Sequence, residues 1–225
     1  MGFRESATAL AGELGIEQVE RPTGTGSIVW VCLPDDAIAA TCTALDNDLP
    51  GGCALVHASG ATPLPRLNRP TGVMWPLQSI THDLEPDWTS LPLIVQASHS
   101  AFAKTLYDIA GLIGDGRPTP VPDDETRARL HLGACYTQNL TNLLWRLTEE
   151  VLADSGQDAR VLLPLARNHL DKLARFSAAD LQTGPAARGD DATLRRHLEL
   201  LEGHPEARSV YAALSALIER LTARR

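Results

Sequence analysis

The chain has 225 residues, of which 44% are hydrophobic and 21% are charged, a composition typical of a globular protein. No apolar run approaches the ~20 residues of a membrane-spanning helix, and a net charge of -8 argues against a nucleic-acid binder. The N-terminus, MGFRESATALAGELG, has neither a long apolar core nor a secretory cleavage pattern, so we expect a cytoplasmic location.

The first part of the chain alternates helices with short apolar strands. ESATALAGEL (5–14) has the spacing of a helix, and TGTGSIVWVCLPDD (23–36) contains two glycines, a strand (IVWVCL) and the start of a second helix. A phosphate-binding glycine loop follows a strand and opens a helix, whereas Gly24 and Gly26 precede the strand. TGTG is therefore predicted to be a turn that leads into a strand, and Asp35 or Asp36 is predicted to cap the helix after it.

Four further strands are predicted before residue 122. They are CALVH (53–57), GVMW (72–75), PLIVQA (92–97) and a short last strand within RPTPVP (117–122). A helix over 98–114, with Ser98 as its cap, separates the last two. This order predicts an α/β domain with a largely parallel sheet over residues 1–122.

The pattern changes after Pro122, because no strand is predicted beyond it. A helix of about thirty residues starts near Asp123, a second covers 159–176, and two more come after the loop LQTGPAARGDD (181–191). Pro164 either lies early in the second helix or kinks it. Charge also shifts: residues 1–122 carry 6 basic and 13 acidic side chains, against 14 and 15 in 123–225. The sequence therefore predicts an all-helical domain over 123–225.

Cysteine and histidine spacing gives no sign of a disulfide or metal site. Cys32, Cys42, Cys53 and Cys135 form no CxxC pair, and Cys32 and Cys53 lie in apolar runs, which favours reduced thiols in the core. The histidines show no HxxH or HxH spacing, so no metal is expected.

Several segments together resemble one bacterial family, the Rossmann-like proteins that carry the domain of unknown function 2520. The segments are LPDDAI, VHASG, PLQS, LHLGACYTQN, LLPLARNHLDKLA and TGPAARGDDATLRRHL, and the resemblance runs from about residue 5 to residue 221. The family resembles 6-phosphogluconate dehydrogenase, pyrroline-5-carboxylate reductase and ketopantoate reductase. The resemblance implies a Rossmann-like domain that binds NADP or NAD, joined to a helical domain that forms a cleft and often dimerises.

The N-terminal elements of such families are not found in this sequence. Members open with a strand, a GxGxxG-type turn, a helix and a second strand, and MGFRESATALAGELG matches the segment that comes after that second strand. The resemblance thus implies an N-terminally truncated Rossmann-like domain with weakened cofactor binding, or a gene start assigned too late. Without the first strand, Ile28–Leu33 would be a bare edge, which we expect IEQVE (16–20), a second subunit or a swapped segment to cover.

The resemblance also places candidate residues. The turn Leu33, Pro34 and Asp35 would lie beside the cofactor, and Arg4 is the nearby candidate for a 2′-phosphate. His131 and Asn139 match polar positions of one family helix. They lie eight residues apart, about 80° around a regular helix, so both can face one cleft, as a general acid or base and a carbonyl-orienting amide. The alternative is that His131 bonds a backbone carbonyl and that Asn139 fixes helix packing.

Other polar residues follow predicted strands, where open α/β sheets place ligands. His57, Ser59 and Gly60 follow the second strand and Gln78 the third; they contact substrate or simply complete turns. Gly184, Gly189, Thr183 and Asp190 suit turns and helix caps in TGPAARGDD. Arg188 in that loop binds an anionic ligand or pairs with a carboxylate.

Three functional hypotheses remain. The first is an NAD(P)-dependent oxidoreductase that acts on a small carbonyl or imine compound in the cleft between domains, with His131 as proton donor and Asn139, Ser59 and Gln78 as substrate contacts. The second is a non-enzymatic homodimer that keeps only the fold. The third is a small-ligand binding protein. No nucleic acid or membrane partner is expected.

Overall fold

A computed structural model describes residues 26–80, 87–113 and 118–224, and the predicted helix over 5–14, IEQVE and Arg4 lie outside these ranges. The chain divides into two compact units, Met1–Cys135 and Tyr136–Arg225, here called the sheet unit and the helical unit. The division falls after the boundary predicted at residue 122, because the helix that follows Pro122 packs on the sheet.

The sheet unit contains a five-stranded sheet in the order β1-β2-β3-β4-β5. Its strands are β1 (Ile28–Val31), β2 (Ala54–His57), β3 (Thr71–Pro76), β4 (Leu93–Ala97) and β5 (Pro118–Pro120). All five predicted strands are therefore confirmed. β1, β2 and β3 run parallel, β4 runs antiparallel to β3, and β5 runs parallel to β4.

Three helices cover the sheet: α1 (Asp35–Asp48), α2 (Ser100–Ile113) and α3 (Asp124–Ala134). α2 buries Phe102, Leu106 and Ala110, at four-residue spacings, against one sheet face. α1 packs Ile38 and Cys42 on the opposite face beside β1 and β2, and α3 packs there beside β3 and β4. Central strands are thus apolar on both sides, as their continuous runs predicted.

The structure describes the turn before β1 from Gly26 onward. Gly26 has a φ of 79° and leads directly into β1, so it is a turn residue, as predicted. Within the described part of the chain β1 is an outer strand, and Trp30 is 39% exposed. Whether IEQVE, a second subunit or a swapped segment covers it stays a prediction.

The helical unit consists of α4 (Thr141–Ala153), α5 (Leu163–Leu173), α6 (Pro185–Arg188), α7 (Asp191–Leu200) and α8 (Pro205–Thr222). A π-helical segment, Cys135–Leu140, leads into α4, and a 3₁₀ turn, Ala159–Leu162, leads into α5. Pro164 lies in the first turn of α5, one of the two predicted alternatives, because no intrahelical bond needs its missing N–H there. Among the described residues no helix is long and apolar enough to span a membrane.

Two local predictions need correction. The segment 181–191 is not all loop, because Pro185–Arg188 forms one helical turn; the positive φ of Gly184 and Gly189 is as expected. Cys32 is exposed rather than in the core, since it falls just after β1 ends, whereas Cys42 and Cys53 are buried. Asp190 caps α7 through bonds from the Thr193 N–H and hydroxyl, as predicted.

Candidate functional site

Three loops leave the same edge of the sheet unit, because β1, β2 and β3 are parallel. Leu33–Asp35 follow β1, Ser59 and Gly60 follow β2, and Gln78 follows β3. β3 continues three residues past Val73, the partner of His57, so Gln78 emerges about 10 Å or more beyond the end of β2. This is the carboxyl edge, where open α/β sheets bind ligands.

The loop after β2 is fixed by its own hydrogen bonds. The N–H groups of Ala61 and Thr62 donate to Ser59 Oγ over 3.1 and 2.9 Å, and Ser59 Oγ lies 3.0 Å from Thr62 Oγ1. The Thr62 hydroxyl is 3.4 Å from the Asp35 carbonyl oxygen, which joins this loop to the start of α1. Ser59 thus acts as the organising residue of a turn, the plainer of its two predicted roles.

His57, the last residue of β2, is fully buried below this loop. Its Nδ1 accepts a hydrogen bond from the Ser59 N–H (3.1 Å), so in the neutral ring the proton lies on Nε2. Nε2 has no partner of ordinary hydrogen-bond geometry among the described residues. Burial, and then the charge of Arg127, lower the pKa of His57 to about 4, although the Pro63 carbonyl partly opposes this. The side chain is therefore neutral at pH 7.

Arg127 of α3 holds the loop from inside the protein, with only 1% of its surface exposed. Its guanidinium donates to the carbonyl oxygens of Gly60 (3.3 Å) and Thr62, and to the side-chain oxygen of Gln96. Burial lowers the pKa of Arg127 while the neighbouring carboxylate of Asp124 (3.0 Å) opposes that change. An arginine keeps its charge in such an environment, so a buried cation lies directly under the loop.

Asp124 and Gln96 complete this network. Asp124 Oδ1 accepts from the Leu64 N–H (2.9 Å) and from the Gln96 amide (3.2 Å) as well as from Arg127. Gln96 lies on β4 in register with Val73, which in turn pairs with His57, so these side chains share one sheet face. Every polar group that Arg127 meets is consequently paired, and the loop is preorganised.

Gly60 also packs against an aromatic pair. A Cβ on Gly60 would lie 2.6 Å from Cε2 of Trp75, so only glycine fits. The ring of Trp75 is 5.5 Å from that of His131 on α3. His131 is partly exposed, and no described residue forms a hydrogen bond with its ring nitrogens. The structure thus brings His131 and Gly60 to the same tryptophan, which spacing alone did not predict.

The predicted cofactor turn lies at the start of α1. Pro34 occupies the N-cap position, and Asp35 and Asp36 lie in the first helical turn without a capping bond, so the predicted Asp cap is wrong. The Pro34 carbonyl accepts the Ala37 N–H, which starts the helix one residue earlier than expected. Leu33 is half-buried and Pro34 exposed, so an apolar surface faces solvent beside the fixed loop.

The remaining candidates are more exposed. Among the described residues, the Gln78 side chain accepts only its neighbour's N–H, from Ser79 (3.2 Å). Asn139 lies in the π-helical segment and is exposed. The 80° separation predicted for His131 and Asn139 does not hold, because that segment interrupts the regular helix and shifts its register. Arg188, at the exposed end of α6, lowers the pKa of Asp190 to a small extent after the stronger effect of Thr193.

Sequence reasoning missed Arg127, Gln96, Asp124 and Trp75. One signal was available: Gln96 is a polar residue in the otherwise apolar run PLIVQA, and a polar group in a buried strand needs a partner. Arg127 gave no signal, because its acceptors Gly60 and Thr62 lie more than sixty residues earlier in the chain.

Comparison with known structures defines the class of this fold. A candidate NADP oxidoreductase, BF3122 from Bacteroides fragilis, is 28% identical over 96% of this chain and 85% of its own, with a TM-score of 0.81. The fold is therefore Rossmann-like and of the NAD(P)-dependent oxidoreductase type, followed by a helical domain. Residues 91–218 match the domain of unknown function DUF2520, and the chain belongs to that family.

Two more distant structures share the fold. Protein TM1727 from Thermotoga maritima is 21% identical, covers 98% of this chain and 89% of its own, and has a TM-score of 0.68. An imine reductase from Myxococcus stipitatus, solved with NADP+, is 14% identical, covers 99% and 84%, and has a TM-score of 0.63. No curated protein matches the chain.

Proposed function

We propose that the protein is an NAD(P)-dependent oxidoreductase that acts on a small carbonyl or imine compound at the carboxyl edge of β1–β3. The observation that supports it is the loop after β2, which Arg127 holds rigidly beside the turn Leu33–Asp35. Similarity to a candidate NADP oxidoreductase supports the same class of reaction. A titration with both nucleotides decides between NADP and NAD.

The residues at this edge suit the nicotinamide end of such a cofactor. Half-buried Leu33 and exposed Pro34 offer an apolar surface for a flat ring, and the loop after β2 borders it. The cofactor, when bound, supplies the hydride. The protein's part is to orient the substrate with Gln78 and to provide a proton from the His131 imidazole.

The first test is a titration of the full chain with NADPH and NADH, followed by nucleotide fluorescence. We expect saturable micromolar binding. Pro34→Glu places a carboxylate on the proposed ring surface and should weaken binding roughly tenfold or more, about 1.4 kcal/mol. Ala40→Glu, an equally exposed change further along α1, is the matched control and should bind as the wild type does. If no binding is seen up to millimolar nucleotide, the oxidoreductase proposal is rejected. The remaining hypotheses are then a non-enzymatic dimer and a small-ligand binding protein.

A second test addresses the proton donor. His131→Gln should retain nucleotide affinity but lower the NADPH-dependent reduction of cyclic imines or small carbonyl compounds by about 10²–10⁴-fold. Loss of affinity together with activity would assign His131 a packing role against Trp75 instead.

A further inference from the structure

One face of α3 carries both the buried cation and the proposed proton donor. Asp124, Arg127 and His131 follow one another at spacings of three and four residues, which places them on the same side of the helix. His131 lies one turn after Arg127, about 6 Å further along the axis. Asp124 and His131 are partly buried and Arg127 is fully buried, so this side of α3 faces the protein rather than solvent. The contacts that hold Arg127 therefore also hold the backbone from which His131 projects.

The loop after β2 meets both of these residues. Arg127 Nε donates to the Gly60 carbonyl oxygen (3.3 Å). The Trp75 ring contacts Gly60 as well as His131: a Cβ on Gly60 would lie 2.6 Å from the indole, and the indole is 5.5 Å from the imidazole. Gly60 is thus fixed in two ways, by a hydrogen bond from α3 and by the ring on which His131 rests.

The same loop continues the connection to the turn Leu33–Asp35. The Arg127 guanidinium also donates to the Thr62 carbonyl oxygen. The Thr62 hydroxyl, in turn, lies 3.4 Å from the Asp35 carbonyl oxygen at the start of α1. A continuous series of directional contacts consequently runs from α3, which carries the proposed proton donor, to the turn that borders the proposed nicotinamide surface.

The apolar contacts of α3 do not fix its position so closely. Leu130 and Ala134 pack against the cluster around Trp75. Apolar packing is not directional, whereas a hydrogen bond weakens steeply when its distance or angle changes. Arg127 and its partner Asp124 supply such bonds to the loop after β2. The position of α3 relative to this loop therefore depends on these two side chains.

A second arginine of the sheet unit has a similar set of partners but a different place in the fold. Arg69 pairs with the Asp46 carboxylate (2.6 Å), and its side-chain exposure is 10%. It also donates to the carbonyl oxygens of Asp46, Leu49 and Cys53. These acceptors lie at the end of α1 and before β2, at the edge of the sheet opposite to the candidate site. Arg69 is therefore a matched reference for the structural part of what a buried arginine does.

We propose that Arg127 is a positioning residue, which sets the place of the His131 imidazole relative to the turn Leu33–Asp35 through the loop after β2. This role rests on the proposed oxidoreductase function, and Arg127 itself touches neither cofactor nor substrate. Its planar fork of donors fixes several acceptors in defined directions, which an apolar core residue cannot do. A displacement of about 1 Å between reacting groups can lower a rate about 10²-fold, so a small shift of α3 affects turnover before it affects binding.

The test compares Arg127→Lys with Arg69→Lys in the NADPH-dependent reduction of cyclic imines and small carbonyl compounds by the full chain. Both changes keep the charge and lose the fork of donors. Arg127→Lys should lower kcat about 10²-fold, while KM and the NADPH dissociation constant stay within about threefold of the wild type. Arg69→Lys should leave all three values unchanged. Thr62→Val removes only the hydroxyl beside Asp35, should lower kcat about tenfold, and replaces the lysine variant if that chain does not fold.

A second measurement does not depend on activity. His131 is modified with diethyl pyrocarbonate, and the rate of its modification is followed by mass spectrometry in the wild type and the same variants. Arg127→Lys should raise this rate several-fold, because the imidazole is no longer held against Trp75, whereas Arg69→Lys should not.

The two measurements separate the positioning role from the proposed function. A wild type that neither binds NADPH nor reduces any of the compounds rejects the oxidoreductase function, and the modification rate of His131 then decides the positioning role by itself. An unchanged kcat or modification rate in Arg127→Lys would overturn the proposal. So would a loss of NADPH affinity in place of kcat, or an equal loss of kcat in Arg69→Lys.

Discussion

The sheet unit holds nineteen of the 23 buried apolar residues in the described part of the chain, and the helical unit holds four. The distribution of exposed large apolar residues is the reverse, with five in the sheet unit and thirteen in the helical unit. The sheet unit is thus closed around its own core. The helical unit has the helices of a folded domain without the burial that normally stabilises them.

This difference shows that a sequence can specify regular helices without also specifying a hydrophobic core that buries their apolar faces within one chain. In the sheet unit, α1, α2 and α3 each find a sheet face and form the apolar clusters around Ile38, Leu106 and Trp75. In the helical unit, buried Ala186 and Ala207 are small, and large residues such as Leu165 and Phe176 remain 70% and 57% exposed. Single substitutions can test whether the sheet unit is stabilised by its own core and whether the helical unit needs further burial to be stable.

The largest effect is expected at the buried cation of the sheet unit. Arg127→Met leaves the carbonyls of Gly60 and Thr62 and the amide of Gln96 without their donor, which should cost about 3–5 kcal/mol of unfolding free energy. Arg127→Lys keeps the charge but not the fork of donors, so its loss should be intermediate. Both losses are measured by urea unfolding with each Arg127 change made in a Trp145→Phe chain. The fluorescence then reports on the sheet unit, because the remaining tryptophans all lie there. Equal stability of all three proteins would contradict the role given to Arg127.

A pH-dependent loss of stability should come from His57. Its pKa is lowered to about 4 in the folded state, against about 6.5 unfolded, so protonation favours the unfolded chain. The contribution of neutral His57 to the free energy of unfolding is fully present above pH 6.5 and is lost as the pH falls towards 4. The total loss is at most about 3 kcal/mol. His57→Asn keeps an acceptor near the Ser59 N–H but does not titrate. The difference between wild type and variant should therefore shrink over this interval, and a constant difference from pH 8 to 4 would refute the explanation.

A smaller effect is expected where the loop meets Trp75. Gly60→Ala forces a methyl group against the buried indole, whose Cδ2 and Cζ2 would both lie 2.8 Å away, and should cost about 1–3 kcal/mol. Gly51→Ala is the matched control, because a Cβ there meets nothing within 4 Å. Its urea midpoint should stay close to that of the wild type. NADPH affinity measured on the same proteins shows whether the loop conformation matters for the proposed site.

The sequence allowed most of the fold to be predicted, because its signals are local. Apolar runs such as IVWVCL and PLIVQA marked the strands, and Asp190 marked a helix start. Parallel strand order then placed Leu33, Ser59 and Gln78 at one edge. The errors were also local, as at Pro34, which took the cap position expected for Asp35.

The inner part of the candidate site could not be predicted in the same way. Arg127 reaches Gln96 across 31 residues of sequence and Gly60 across 67, and no periodicity records such pairings. The Trp75–His131 ring contact likewise arises only when β3 and α3 pack together. The exposure of α5, which buries none of its residues, is a property of tertiary packing too, since its sequence is that of an ordinary amphipathic helix.

The smallest stability loss is expected on removal of a helix cap. This change compares the two units most directly, because each contains a helix whose N-terminus is capped by an aspartate. Asp123 accepts the Thr126 N–H at the start of α3 (2.7 Å), and Asp190 accepts the Thr193 N–H at the start of α7 (3.1 Å). Both Asp123→Ala and Asp190→Ala remove a cap and should destabilise their helices slightly. If the helical unit folds only with a second copy, its urea midpoint in Asp190→Ala should fall as the protein is diluted, as it should in the wild type, since unfolding is then coupled to dissociation. The midpoint of the sheet unit in Asp123→Ala, measured by fluorescence of the sheet unit, should not depend on concentration. Two midpoints that are both independent of concentration would mean that the helical unit, despite its exposed leucines, is as self-sufficient as the sheet unit.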